Sequence, residues 1–245
     1  MQVIDQDNQP GDVWKGDILG YPDYLFSILE CTTPLLHPSV MYRRNAVLQV
    51  DKYDINLPYA EDFGLWASLA LAGYHAKIIT EPLCCYRVHE RQWSVLKRQI
   101  QRQNAIKVQE RMISNFSNEF PAGPIRLFFE NSDELWQEVS SPRMVKDIAQ
   151  ASRQVLLNMQ TKLNMNRQES SRIKQLFYHK AVKVAIKGTS LSRKRASLPV
   201  YLFALRGSPS ISKNSYLVYF FYWLPSPVRR IFESFRTMIL GIKRV

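Results

Sequence analysis

The stretch AEDFGLWASLALA, residues 60–72, is the clearest helix signal in this chain of 245 residues. Its apolar side chains recur at three- and four-residue spacing, and Gly73 follows at the position where a helix C-terminus favours glycine. Two carboxylates, Glu61 and Asp62, open the first turn. The helix dipole stabilises carboxylates at that position, so capping is one interpretation of the pair. The other interpretation is a general base in a cleft.

Short strands are predicted on both sides of this helix. The first residues read as strand, turn and strand, with the turn at 8–11, and further strands are predicted at 39–43, 76–80 and 83–88. Helical segments are expected at 22–31, at 44–48 and, with a polar composition, at 92–116. This alternation predicts an α/β domain up to about residue 90. Residues 142–188 are expected to be helical.

The positive charge of the chain is concentrated in its last third. The net charge is +12, yet residues 1–120 hold 12 Lys/Arg and 14 Asp/Glu, whereas residues 165–245 hold 16 and 2. Such a basic segment is typical of contact with an anionic membrane surface or with nucleic acid. The apolar run at 216–224 has nine residues, short of the roughly 20 that cross a bilayer as a helix, so no transmembrane helix is predicted.

Two aromatic stretches, residues 198–205 and 216–224, lie within this basic region. Aromatic rings flanked by Lys and Arg favour an anchor at a membrane interface. The alternative is a small helical domain in which these side chains form the core. Binding of single-stranded nucleic acid is a further alternative, although no recognisable nucleic-acid module is present.

Three clusters of polar and aromatic residues lie within the first 94 positions: HPSVMYRR at 37–44, YAEDFGLW at 59–66 and YRVHERQWS at 86–94. In the third cluster Arg87 and His89 alternate onto one face of the predicted strand, which suits a phosphate or a phosphate-bound cation. The alternative is a strand edge that faces water. For His37 the alternative is an ordinary loop histidine before a proline.

Taken in this order and at these spacings, the motifs resemble the C-terminal half of family 2 glycosyltransferases with the GT-A fold. The matching segments are HPSVMYR at 37–43, YD at 53–54, AEDFGLW at 60–66 and YRVH at 86–89. The resemblance covers residues 3–94. It implies an α/β fold class: a partial GT-A, nucleotide-diphospho-sugar transferase-like half-domain over residues 1–118. A mainly α-helical, basic region would follow over residues 119–245.

The resemblance implies inverting transfer of a sugar from a nucleotide-diphosphate donor to an acceptor hydroxyl, in polysaccharide or glycoconjugate biosynthesis. Asp62 then corresponds to the base that deprotonates the acceptor, with Glu61 beside it. Arg87 and His89 correspond to residues near the donor diphosphate, where His89 is also a candidate metal ligand. The acceptor side would include His37, Ser39 and Trp66.

Two positions depart from the family pattern. A second acid usually follows the Glu-Asp pair by two residues, where this chain has Gly64, and the proline usual after the motif histidine is replaced by Glu90. Both departures affect the identity of the acceptor more than the class of reaction.

The family's nucleotide-binding half, with the Asp-x-Asp motif that holds Mg²⁺ or Mn²⁺, has no counterpart in this sequence. Residues 5–7 do spell Asp-Gln-Asp, but the turn that follows makes them resemble a later hairpin of the family instead. We therefore expect a cytoplasmic chain, peripheral at the membrane, whose partners are a nucleotide-sugar, an acceptor that is lipid-linked or a polysaccharide, and an anionic membrane surface. The alternative is a truncated, non-catalytic remnant that serves as a membrane or nucleic-acid interaction module.

Overall fold

The structure, a computed structural model, describes residues 1–14, 16, 20–117, 120–130, 133–191 and 193–207. The described chain is a mixed α/β structure that is mostly helical, with one small three-stranded sheet. Its contacts group it into two compact units: residues 1–130 with 151–176, and residues 131–150 with 177 onward. The predicted boundary after residue 118 thus differs from the compact units, because residues 122–130 and 151–176 pack with the first unit.

The first unit contains the sheet and most of the helices. In chain order, its elements are β1 (Gln2–Ile4), β2 (Pro10–Val13), α1 (Tyr21–Leu29), a 3-10 turn (His37–Ser39), α2 (Arg44–Gln49), α3 (Glu61–Leu71), β3 (Cys85–Arg87), α4 (Trp93–Leu96), α5 (Arg98–Ser114) and α6 (Ala122–Glu130). The strand order is β2-β1-β3. β1 pairs antiparallel with β2 and parallel with β3, with Gln2 opposite Cys85 and Ile4 opposite Arg87.

Helix α3 forms the centre of this unit, as the apolar periodicity of residues 60–72 predicts. It packs against α1, α2 and α5, and the side chains of Leu65 and Trp66 are each 1% exposed. The helix ends at Leu71 and is capped by Ala72, and the next residue, Gly73, has a φ of +82°, in the left-handed region that favours glycine. Two buried hydroxyls of α1 hold it in place: Tyr21 donates to the Ala70 carbonyl at 2.5 Å, and Tyr24 donates to the Trp66 carbonyl at 2.7 Å.

Several predicted strands are absent from the described sheet. Residues 37–39 form the 3-10 turn, and Val40 is extended without a ladder partner, so the strand predicted at 39–43 is not formed. The strand predicted at 76–80 has no regular secondary structure, and the one predicted at 83–88 is limited to residues 85–87. A strand needs a neighbour for its backbone hydrogen bonds, and no strand of the described chain pairs with residues 39–43 or 76–80.

Two long helices, α8 (Pro142–Lys162) and α9 (Arg167–Ser190), confirm the helical prediction for 142–188 apart from the turn between them. Residues 151–176 of this hairpin belong to the first unit. There the guanidinium of Arg172 binds Asp23 of α1, with Nη2 2.6 Å from Oδ1. None of the described helices is long and apolar enough to cross a membrane.

The second unit contains α7 (Asp133–Glu138), the start of α8, the end of α9, and α10 (Lys194–Gly207). Its core includes Trp136, which lies directly against Gly188, and Val200, Tyr201 and Ala204 of α10, each 0% exposed. Part of the aromatic stretch 198–205 therefore forms core, which is the alternative to an interfacial anchor, whereas Leu202 of the same stretch is 44% exposed. The serine-rich and basic composition of residues 190–197 predicts a loop, but part of this stretch is helical, because α10 begins at Lys194. The stretch at 216–224 lies outside the described residues.

Candidate active site

The two carboxylates singled out in the sequence lie at the N-terminus of α3. Both Glu61 and Asp62 are partly buried, and Oδ1 of Asp62 accepts a hydrogen bond from the Phe63 backbone N–H at 2.7 Å. Desolvation raises the pKa of Asp62 above its ordinary value, and this is the largest contribution to the shift. A carboxylate whose proton affinity is raised in this way is better suited to accept a proton than a fully solvated one.

His37 lies in the same cluster as the carboxylates. A positive charge on its imidazole lowers the pKa of Asp62 and so opposes part of the effect of burial. The imidazole packs edge-on against Trp66, with ring centroids 6.0 Å apart and an interplanar angle of 76°. The structure therefore brings together Asp62, Glu61, His37 and Trp66, which the sequence places in two separate motifs.

Two tyrosines complete this group, and the sequence analysis assigned neither of them a role. The hydroxyl of Tyr53 lies 2.8 Å from Nε2 of His37 and 3.3 Å from the hydroxyl of Tyr42. Burial, the neighbouring Tyr42 and the charges of Asp62 and Glu61 raise the pKa of Tyr53 to about 12. Both tyrosines belong to the motifs that carry the family resemblance. Membership in these motifs is the sequence signal that could have identified them as site residues. We call the set His37, Tyr42, Tyr53, Glu61 and Asp62 the acid–imidazole cluster.

Asp54, the other residue of the Tyr-Asp motif, stabilises the loop that carries Tyr53. Its Oδ1 accepts hydrogen bonds from the backbone and side-chain nitrogens of Asn56 at 3.0 and 3.1 Å. The bond from the Asn56 backbone N–H is the largest cause that lowers the pKa of Asp54. Arg111 of α5 forms a further, exposed contact with Oδ2 at 3.5 Å.

Arg87 is engaged within the β1–β2 hairpin. Its Nη1 donates to the carbonyls of Asp5 and Gln6 at 2.8 and 3.2 Å, and its Nη2 donates to Oδ1 of Asn8 at 2.7 Å. The hairpin turn, whose Asn8 has a φ of 63°, is therefore fixed by the residue expected to bind the donor diphosphate. That assignment of Arg87 stays a prediction, and the observed contacts favour a structural role.

His89 follows β3 and is exposed, with its backbone N–H donating to Oε1 of Gln92 at 3.2 Å. Among the described residues no hydrogen bond, ion pair or ring contact joins His89 to Asp62. No direct contact within the described residues therefore supports the prediction that His89 shares a site with the carboxylates. Its roles toward a diphosphate or a metal stay predictions.

The described residues do not fit the divalent cation that the resemblance implies. They contain no group of three or more His, Cys, Asp or Glu side chains placed to hold a metal ion. The Asp5 carboxylate caps the hairpin turn instead, because its Oδ1 accepts the backbone N–H groups of Asp7 and Gln9 at 2.9 and 2.8 Å. A metal ion would therefore have to be held by groups outside this set.

A cavity of about 420 Å³ adjoins the acid–imidazole cluster within the first unit. Ser39, Tyr42 and Trp66 line it, so the expected acceptor-side residues Ser39 and Trp66 share this surface with a cluster tyrosine. The Ser39 hydroxyl donates to the Leu36 carbonyl at 2.9 Å. Nε1 of the buried Trp66 has no hydrogen-bond partner in the part of the chain that the structure describes. The volume lies in the range of small-molecule sites.

Apolar side chains are exposed along the two segments that border this cavity. Met41 is 97% exposed, Ile79 67% and Leu83 70%, and all three line the cavity. Met41 and Ile79 lie in predicted strands that the structure does not form, and Leu83 lies in a predicted strand that forms only at residues 85–87. These exposed apolar side chains lie on irregular segments and not on a sheet edge.

Comparison of the chain with protein-family models, with curated proteins and with solved structures found no match.

Proposed function

We propose that this chain is the acceptor-side half of an inverting, family 2-type glycosyltransferase with a partial GT-A fold. One observation carries the proposal: Asp62, the residue that the motif resemblance marks as the base, is partly buried at the N-terminus of α3 with His37 beside it. Two of the three sequence motifs therefore converge in space, although they are separated by more than 20 positions along the chain.

The chemistry assigned to Asp62 is proton abstraction from the acceptor. As the acceptor oxygen attacks the anomeric carbon of the donor sugar, the Asp62 carboxylate takes the hydroxyl proton. The bond from that carbon to the diphosphate breaks on the opposite face, and the nucleoside diphosphate leaves with the bonding electron pair. A positioned base of this kind typically contributes 10²–10⁴-fold to the rate. Attack from the opposite face inverts the anomeric configuration.

The donor nucleotide and its Mg²⁺ or Mn²⁺ require groups that the described residues do not provide. We therefore propose that a separate nucleotide-binding half, encoded next to this chain or supplied by another polypeptide, completes the enzyme. The exposed side chains of Met41, Ile79 and Leu83 are the surface that this half would cover. Their burial removes apolar area from water, the dominant favourable contribution to such an association.

The basic end of the chain suits an acceptor that is held at a membrane. We propose that residues 208–245 contact an anionic membrane surface, because this segment contains Lys213, Arg229, Arg230, Arg236, Lys243 and Arg244 among aromatic and apolar residues. The chain would then be a cytoplasmic protein at the membrane periphery.

The test joins the full chain to a candidate nucleotide-binding half, the coding segment immediately upstream of Met1 being the first choice. The assay presents a panel of nucleotide-sugars with Mg²⁺ or Mn²⁺ and follows nucleoside diphosphate release together with the anomeric configuration of the product. We expect acceptor-dependent release and an inverted product. A retained configuration, or no transfer from any donor once the two halves form a complex, would contradict the proposal and favour a non-catalytic interaction module.

A further inference from the structure

We propose that Tyr53 is a positioning residue that holds the His37 imidazole beside Asp62 and determines which ring nitrogen carries the proton. The inference rests on the proposed function, in which Asp62 is the base. It gives a role to Tyr53, which the resemblance to the glycosyltransferase motifs leaves without one.

The contacts of His37 support this role. The ring lies at the 3-10 turn and is exposed, so packing alone holds it weakly. Within the described part of the chain, its one hydrogen-bond partner is the Tyr53 hydroxyl, 2.8 Å from Nε2. The edge contact with Trp66 is apolar, and Trp66 is itself fixed by burial and by the bond from Tyr24 to its carbonyl. Tyr53 therefore supplies the directional contact that orients the imidazole.

The direction of this hydrogen bond follows from the two proton affinities. The phenol of Tyr53 keeps its proton at neutral pH, because its pKa is raised to about 12. A neutral imidazole nitrogen is the better acceptor, so Tyr53 donates to Nε2 and the ring proton lies on Nδ1. When His37 gains a second proton, the hydroxyl turns to accept from Nε2–H. The contact thus persists in both protonation states.

Tyr42 provides an internal comparison. Its hydroxyl lies 3.3 Å from that of Tyr53, which is long for a bond between two hydroxyls, and within the described residues no hydrogen bond joins it to His37. Removal of the Tyr42 hydroxyl therefore leaves the bond between Tyr53 and His37 in place. Tyr42→Phe is a matched control for Tyr53→Phe.

The position of His37 affects Asp62 through charge. Asp62 from α3 and Tyr53 from the loop before α3 interact with His37 directly, and Glu61 and Tyr42 interact in turn with these two residues. The imidazolium charge favours the ionised form of Asp62 and opposes the effect of burial. If Tyr53 no longer holds the ring, the imidazolium charge stabilises the Asp62 carboxylate less, and the pKa of Asp62 rises.

The test uses the full chain with ¹⁵N-labelled histidine and ¹³C-labelled aspartate. Long-range ¹H–¹⁵N spectra of the neutral ring should show the Nδ1–H tautomer for His37 in the wild type and in Tyr42→Phe. In Tyr53→Phe the two ring nitrogens should shift toward each other, as in an averaged tautomer mixture. The titration midpoint of the Asp62 carboxyl should rise in Tyr53→Phe alone. Unchanged signals of His75, His89 and His179 report that each variant is folded.

An Nε2–H tautomer in the wild type, or identical His37 ring-nitrogen spectra and Asp62 titrations in Tyr53→Phe and Tyr42→Phe, would overturn the inference. In the completed enzyme, Tyr53→Phe should lower kcat about tenfold, which is a part of the rate enhancement that a general base supplies. The KM for the donor should stay unchanged, and the acid limb of the pH–rate profile should move to higher pH. Because the spectra need no turnover, the two proposals fail separately. A completed enzyme without transfer removes the function, whereas unchanged spectra remove the role of Tyr53.

Discussion

Arg172→Ala is expected to destabilise the first unit by about 2–3 kcal/mol. The guanidinium lies against the Asp23 carboxylate through three contacts: Nη2 at 2.6 Å from Oδ1, and Nε at 3.2 and 3.3 Å from the two oxygens. Asp23 is 8% exposed, so removal of its partner leaves a buried charge that water cannot fully solvate.

The magnitude follows from how far each side chain is buried. Breaking a fully buried ion pair by removing one partner costs about 3–5 kcal/mol, whereas an exposed pair is worth about 0–1 kcal/mol. Here the Arg172 side chain is 37% exposed and that of Asp23 is 10% exposed, which places the expected cost between the two ranges.

Urea unfolding followed by circular dichroism measures this cost. Arg167→Ala is the matched control, since it removes an exposed arginine from the same helix, α9. The double variant Asp23→Ala with Arg172→Ala should cost less than the sum of the two single variants, because it removes the stranded carboxylate as well. If Arg172→Ala costs no more than Arg167→Ala, the pair does not stabilise the first unit and the reasoning is refuted.

Two further predictions concern the base and the basic end of the chain. Burial raises the pKa of Asp62, so ionisation disfavours the folded state and the free energy of unfolding falls as pH rises through the range between its unfolded and folded pKa values. Asp62→Asn keeps an acceptor oxygen for the Phe63 N–H. It should therefore be more stable than wild type at pH 7 and gain little at pH 3 in thermal unfolding, and equal stability at pH 7 would contradict the burial argument. The full chain should co-sediment with anionic but not neutral vesicles at low salt, and high salt should release it only in part. Salt screens the electrostatic attraction, over about 8 Å at physiological ionic strength, but does not weaken the burial of aromatic rings in the membrane interface. Equal, negligible pelleting with both vesicle types would remove the membrane proposal.

The helices were predictable from the sequence because their signals are local. The apolar periodicity and Gly73 define α3 within a few positions, and an apolar face likewise predicts α1. Helices α5, α8 and α9 lie within segments that the sequence predicts to be helical, the first of them with a polar composition. The strands were less predictable, because a strand forms only when a neighbour accepts its backbone hydrogen bonds. Residues 39–43 and 76–80 have a strand-like composition but no described neighbour, and they stay irregular.

The candidate site was predictable in part. The sequence marks Asp62, Glu61 and His37 through motif spacing, and the structure places them in one cluster. It does not reveal the bond from Tyr53 to His37, because a phenol in a loop has no periodic signal. The pairing of Asp23 with Arg172 joins residues 149 positions apart, and one of many arginines in a basic region cannot be singled out by composition.

Turnover by Asp62→Asn in the completed enzyme tests the central claim most directly. The substitution keeps the size and hydrogen-bonding reach of the side chain but removes the basic site. We expect turnover to fall by about 10²–10⁴-fold with donor affinity unchanged, while Glu61→Gln, a change to the adjacent carboxylate of the same helix turn, has a smaller effect. Wild-type turnover in Asp62→Asn would contradict the account and place the base elsewhere, with Glu61 as the first candidate.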